Sequence, residues 1–193
     1  WVGYLSTTGI YGDTKGEWVN EKTPPNPQQE RSIRRLSCEK EWLETNLPIQ
    51  ILRLPGIYGP GRSTFESLLK GTTKMIDKPG QVFSRIHVDD IAGAVLFLIN
   101  LYSQGKNPSI VNISDNLPTS NLEVIHFAAK LAKKSLPPKI NFEIAKKTLS
   151  PMALSFWQEN RKVENKLLCQ TLGYRLMYPD FKSGLKDCFS KLK

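Results

Sequence analysis

The segment Ile49 to Leu54, bounded by Pro48 and Pro55, is dense in isoleucine and leucine, as a strand covered on both faces should be. Such strands belong to parallel sheets, and a parallel neighbour requires a crossover of a dozen or more residues. The preceding sequence supplies one. Trp1 to Thr8 reads as a buried strand ending in hydroxyls, and Gly9, Gly12, Asp13 and Gly16 make a loop. Pro24-Pro25-Asn26-Pro27 cannot sit within a helix, and a helical pattern then runs from Gln28 or Gln29 to Thr45. Ile33, Leu36, Cys38, Trp42 and Leu43 are its expected apolar stripe. Strand, helix and strand form a βαβ unit, so the expected class is α/β with a doubly wound parallel sheet.

Further elements follow. A helix is expected near Thr64 to Thr72 and an extended stretch over Val82 to Val88. The helix Ile91 to Tyr102 is apolar nearly all round and is expected to be buried, with Asp89 or Asp90 as its cap. Ser109 to Ile113 reads as a strand, and Ser120 opens a helix with Glu123 in the capping-box position. Ile140 to Ile144 is expected to be an edge strand, and helices are expected around Ser150 to Phe156, Val163 to Leu172 and Phe181 to Leu192.

Charge is uneven. Of the net +9, residues 1 to 125 contribute nothing, with 13 basic and 13 acidic side chains, whereas residues 126 to 193 carry 14 basic and 5 acidic. Lys130, Lys133, Lys134, Lys146 and Lys147 fall on the polar sides of expected helices with few aromatics between them, so a solvated face is favoured over nucleic-acid binding. Attraction of a phosphate-bearing substrate is the third reading. Cys38, Cys169 and Cys188 are odd in number and far apart, which suggests neither a disulfide framework nor a metal site. Free thiols in the cytoplasm are the simplest expectation, and the longest apolar run, Ile91 to Ile99, is too short to cross a bilayer.

Three segments sharpen the fold. Leu5-Ser6-Thr7-Thr8-Gly9-Ile10-Tyr11-Gly12, Arg53-Leu54-Pro55-Gly56-Ile57-Tyr58-Gly59-Pro60-Gly61 and Ile86-His87-Val88-Asp89-Asp90-Ile91-Ala92 occur in that order. With Val111-Asn112-Ile113-Ser114-Asp115 behind them, they resemble signature segments of the extended short-chain dehydrogenase/reductases, the group of the nucleotide-sugar epimerases and dehydratases. The last third, through Asn160-Arg161-Lys162-Val163-Glu164-Asn165 and Leu172-Gly173-Tyr174, is similar to the small lobe of an atypical, nucleoside-diphosphate-sugar epimerase-like subgroup. The resemblance implies the carboxyl-terminal part of a Rossmann-like NAD(P)-binding domain over residues 1–115 and a small α+β substrate-side lobe over 116–193. It also places the opening strand, glycine loop and helix of such a fold before Trp1, where Trp1 to Tyr4 already reads as the start of a buried strand.

The same resemblance implies NAD or NADP as cofactor, a small-molecule substrate such as a nucleotide sugar, no metal and no membrane partner, and it allows a homodimer. Thr7 takes the catalytic hydroxyl position. The family's Tyr-x-x-x-Lys pair works because residues at i and i+4 share a helix face, so the ammonium lowers the phenol's pKa. Here those two positions are Arg31 and Arg35, and a guanidinium cannot serve as base. Arg35 is still expected at a ribose hydroxyl or a phosphate. Arg31 and Arg34 are expected to pair with Glu30, Glu39 and Glu41 on a solvated face. Ser6, Tyr11, Pro55 and Gly56 are the other implied cofactor contacts, and Tyr58, Arg62, Arg85 and Asn112 the implied substrate contacts, the two arginines because a guanidinium grips a diphosphate through paired hydrogen bonds. An epimerase/dehydratase-type enzyme is thus expected, with a non-catalytic cofactor-binding sensor or scaffold as the alternative that the two arginines favour.

Overall fold

The computed structural model describes residues 1–192. Its centre is a parallel sheet of β1 (Val2–Thr7), β3 (Ile49–Leu54) and β7 (Ile110–Asn112), in the order β1-β3-β7. β1 and β3 run in register from Val2 opposite Ile49 to Thr7 opposite Leu54, and Arg53 of β3 lies opposite Asn112 of β7. All six residues of β3 are buried, including the polar Gln50 and Arg53, as the central strand of a sheet covered on both faces requires. Three short parallel pairs flank the sheet: β2 (Trp18–Val19) with β9 (Lys162–Val163), β4 (Gly56–Tyr58) with β6 (Arg85–His87), and β5 (Met75–Asp77) with β8 (Lys139–Asn141). Mixed α and β elements around parallel strands make this an α/β, Rossmann-like fold.

The crossover helix α1 (Glu30–Leu43) packs differently from its apolar pattern. Its buried residues are Ser32 and Glu39, whereas Ile33 and Leu43 are 50% and 40% exposed. Two contacts account for the rotation. A Cβ on Gly9 would lie 2.6 Å from the Ser32 hydroxyl, so the helix sits directly against the turn after β1. Glu39 reaches under the sheet to Arg53, with an Nη2–Oε2 distance of 2.7 Å.

One core cluster lies between the sheet and α3 (Val88–Ser103), built from Leu52, Leu54, Ile86, Ile91, Leu98 and Val111. α3 is nevertheless not buried all round, because Leu96 and Ile99 face outward. Neither aspartate caps it. The His87 imidazole accepts the amide hydrogen of Asp89, while the buried Asp90 carboxylate accepts those of Met177 and Tyr178. A second cluster joins α2 (Thr64–Leu69), α4 (Asn121–Leu131) and α7 (Phe181–Ser190) through Phe65, Val124, Phe181 and Leu185.

Two further expectations are corrected. The proposed edge strand over 140–144 stops at Asn141, whose side chain caps the short helix α5 (Phe142–Ala145). The proposed helix over 163–172 is instead β9 followed by a π-helical turn at Leu167–Thr171. Helix α6 (Pro151–Gln158) forms as read, with Ser150 as N-cap and proline in the first turn. No helix among the described residues is long and apolar enough to cross a membrane.

Candidate functional site

β1 ends because the Thr7 hydroxyl accepts the Gly9 amide hydrogen at 3.0 Å and turns the chain into a 3-10 turn at Thr8–Tyr11. β3 ends at Pro55, which has no amide hydrogen to extend the ladder. The chain then forms β4, where Gly56 lies opposite Arg85 of β6. Thr7, Pro55, Gly56, Tyr58 and Arg85 consequently line one cleft of about 390 Å³, at the carboxyl ends of parallel strands. The far wall comes from α6 and the residues after it: Phe156, Trp157, Glu159 and Arg161.

The cleft is unevenly charged. Arg85 donates through Nη1 to the carbonyls of Phe83 at 2.8 Å and Thr119 at 3.1 Å, while its Nε and Nη2 have no protein partner among the described residues. Burial pushes this guanidinium down to about 10. Arg161 donates to the Gly12 carbonyl and to Glu159 Oε2 at 2.7 Å. The other oxygen of that carboxylate, Oε1, has no hydrogen-bond partner among the described residues, and the side chain is only 4% exposed. Burial raises the Tyr58 phenol far above its ordinary range, and its hydroxyl donates to the Asp180 carbonyl at 3.5 Å. Behind Arg85, Asp115 is buried with Oδ2 unpartnered, and burial pushes its carboxyl up to about 7.

Other sequence candidates lie elsewhere. Ser6, Tyr11 and Asn112 belong to a buried network below the cleft floor. Ser6 donates to Glu39, Arg53 donates to the Tyr11 hydroxyl at 3.0 Å, and Tyr11 donates to Asn112 Oδ1 at 2.8 Å. Arg35 is exposed and donates to the Tyr4 hydroxyl and the Leu5 carbonyl. Arg62 is exposed beside Gly59, its backbone closing a tight turn. Arg34 pairs with Glu30 as expected, but Arg31 stacks on Phe156 and Glu39 pairs with Arg53.

Glu159, Arg161 and Trp157 were not among the sequence candidates. The available signal was the aromatic pair Phe156-Trp157 closing a well-capped helix just before an acid–base alternation, Glu159-Asn160-Arg161. Nothing local could show that this segment meets β1. The β2–β9 pair brings it there, with Trp18 opposite Lys162. His87, Asp89 and Asp187 also converge, but the Lys191 ammonium stands 2.9 Å from Asp187 and 3.7 Å from Asp89 and supplies the positive charge there.

The family model described as the NAD dependent epimerase/dehydratase family matches residues 2–114. The YeeZ protein of Escherichia coli strain K12 is 29% identical over 181 residues, covering 92% of this chain and 58% of YeeZ. A solved structure of a functionally unknown conserved protein from Silicibacter pomeroyi DSS is 43% identical with a TM-score of 0.89, over 98% of this chain and 65% of that one. UDP-glucuronic acid 4-epimerase from Bacillus cereus, solved with UDP-glucuronic acid and NAD, has a TM-score of 0.74 at 20% identity, over 98% of this chain and 60% of that one, a likeness of fold alone. The chain therefore spans less than two thirds of the length of each of these proteins.

Proposed function

Because this chain belongs to the NAD dependent epimerase/dehydratase family, we propose that it builds the substrate face of an NAD(P)-dependent oxidoreductase or isomerase acting on a nucleotide sugar or a similar anionic metabolite. The observation that carries this reading is the convergence of Thr7, Pro55, Gly56 and Arg85 on one cleft. The hydroxyl of Thr7 and the open Pro55–Gly56 backbone fit the nicotinamide end of a dinucleotide, and the Arg85 guanidinium with its unpartnered nitrogens fits an anionic substrate group beside it. Among the described residues no strand is followed by a Gly-x-Gly-x-x-Gly turn, and Gly59-Pro60-Gly61 between β4 and α2 lacks the third glycine, so a pyrophosphate cradle is not part of this donor set. When bound, such a cofactor supplies reversible hydride chemistry.

In this reading Thr7 Oγ1, which accepts from Gly9, keeps its own hydrogen to donate to the reacting oxygen. Arg85 holds the anionic part of the substrate through its free nitrogens. Glu159 is the proton acceptor. Of the cleft's ionisable side chains, Arg85 and Arg161 are cations and the Tyr58 hydroxyl is committed to Asp180, which leaves the Glu159 carboxylate, anchored at Oε2 by Arg161 and, at its buried Oε1, unpaired among the described residues. Phe83 and Trp157, whose rings meet edge to face at 5.1 Å, exclude water from the same space. Three free cysteines support a reducing, cytoplasmic setting.

The test is turnover by the full-length protein against a panel of UDP- and dTDP-sugars with NAD or NADP, read by nicotinamide absorbance. Glu159→Gln is expected to lower kcat by roughly a hundredfold or more, and Thr7→Val by about tenfold to a hundredfold, with Thr7→Ser restoring it. The engagement of Arg31 with Phe156 and of Arg35 with Tyr4 favours a second reading, a non-catalytic NAD(P)-binding sensor or scaffold. Tight cofactor binding without turnover of any sugar nucleotide supports that reading and rejects the first.

A further inference from the structure

The positive charge of the last third is not taken up by the cleft, and part of it surrounds a separate groove of about 850 Å³ between α4 and α7. We propose that this groove binds a small anionic amphiphile, a single apolar tail carrying a carboxylate or phosphate head.

The floor is apolar for a structural reason. Phe127 and Phe181 meet edge to face with ring centroids 5.7 Å apart, and both belong to the cluster that joins α4 to α7. Leu122 and Leu136 complete the floor, and Leu136 is 45% exposed. A volume of this size, mostly apolar with a few polar groups at its edge, is that of a small-molecule site rather than a protein interface.

The edge is cationic and unpaired. Lys130 lies in the last turn of α4 and His126 one turn before it, Lys134 follows the helix where the chain turns back at Lys133, and Lys182 of α7 lines the same groove. None of the three lysines has a carboxylate in ion-pair range among the described residues, whereas Lys139, Lys146, Lys166 and Lys191 each have one. The one acid of the lining, Glu123, is occupied by the hydroxyls of Thr119 and Ser120 at the start of α4. An anionic head therefore meets several ammonium groups against the single carboxylate of Glu123, which is turned to the Thr119 and Ser120 hydroxyls, while the tail lies on Leu122, Phe127 and Leu136. Phe181 is 1% exposed, which leaves Phe127 as the one phenyl ring of the lining on which a base could stack and disfavours a single-stranded nucleic acid as the occupant.

Isothermal titration of the protein with decanoate and with decyl phosphate, below their micellar concentrations, tests the proposal, with decanol and decyltrimethylammonium as controls. Saturable one-to-one binding of the anions is expected, weakening at least tenfold in the Lys130→Glu/Lys182→Glu double variant and several-fold in the charge-retaining variant Leu136→Ser. Stronger binding of decyl phosphate assigns the head as a phosphate, and stronger binding of decanoate assigns it as a carboxylate. If the double variant does not fold, loss of wild-type affinity with added salt makes the same discrimination. The proposal is overturned if the anions do not bind or if decyltrimethylammonium binds equally. It is also overturned if both variants bind as the wild type does, or if an acidic peptide or an oligonucleotide binds where the amphiphiles do not. The groove and the cleft share no lining residue, so either outcome leaves the proposed function standing or falling by itself.

Discussion

Arg31 lays its guanidinium 4.1 Å from the centre of the Phe156 ring, tying the first turn of α1 to the last turn of α6. Gln29 adds a hydrogen bond to Gln158 at 3.4 Å. Phe156 also lines the cleft, so the residue in the place of the family's tyrosine braces one cleft wall from outside.

Arg31→Ala removes that brace. Both partners are exposed, so a loss of about 0.5–1 kcal/mol is expected, measurable by urea unfolding. Arg31→Lys keeps the charge but not the planar stack and is expected to restore only part of it.

The Glu39–Arg53 pair is a different case, with side chains 1% and 3% exposed. Glu39→Ala leaves a buried guanidinium without its counter-ion and the Ser6 hydroxyl without its acceptor. A loss of about 3–5 kcal/mol is expected. Replacing both partners with apolar residues of similar volume is expected to cost less than the single change, and a denaturation series over the wild type and the two variants checks the order.

This pair also marks where the sequence stopped being legible. The buried character of β3 and its parallel crossover could be read from composition and proline punctuation, Thr7, Pro55 and Gly56 could be located from motif order, and Arg85 from the chemistry of its guanidinium. The face of α1 could not, because Glu39 is drawn inward by a partner 14 residues later and Ile33 is left outside. Likewise, Tyr11 and Asn112 sit 101 residues apart yet share one hydrogen bond that removes both from the cleft lining. The wall built from Phe156 to Arg161 depends on the β2–β9 pair, two residues per strand, which is too short to leave a pattern.

Asp115 gives the fold a pH dependence. Its folded pKa is raised from 3.8 to about 7, so the native state binds more protons than the unfolded chain between those values. Stability therefore falls as pH rises from about 4 to about 7, by at most roughly 4 kcal/mol from this group. Asp115→Asn keeps an acceptor for the Leu117 amide and removes the ionisable group. The variant is expected to be more stable than the wild type at pH 8 and close to it at pH 4, as read from urea midpoints.

Gly184 couples α7 to the cleft. A Cβ there would lie 2.1 Å from the Tyr58 hydroxyl and 2.7 Å from its Cζ. Gly184→Ala gains about 1 kcal/mol of helix propensity, but displacing a buried ring costs about 1–3 kcal/mol. Net destabilisation is expected, relieved in part by Tyr58→Phe, which removes the hydroxyl contact but keeps the ring, and thermal unfolding of the single and double variants measures both.

The most direct test is a crystal structure of the full-length protein with NAD and a UDP-sugar. The account predicts the nicotinamide end against Pro55 and Gly56, the sugar oxygen within hydrogen-bond reach of Thr7 Oγ1, and the substrate's anionic group on Arg85. Ligands seated away from this cleft, with Thr7 and Arg85 untouched, contradict it.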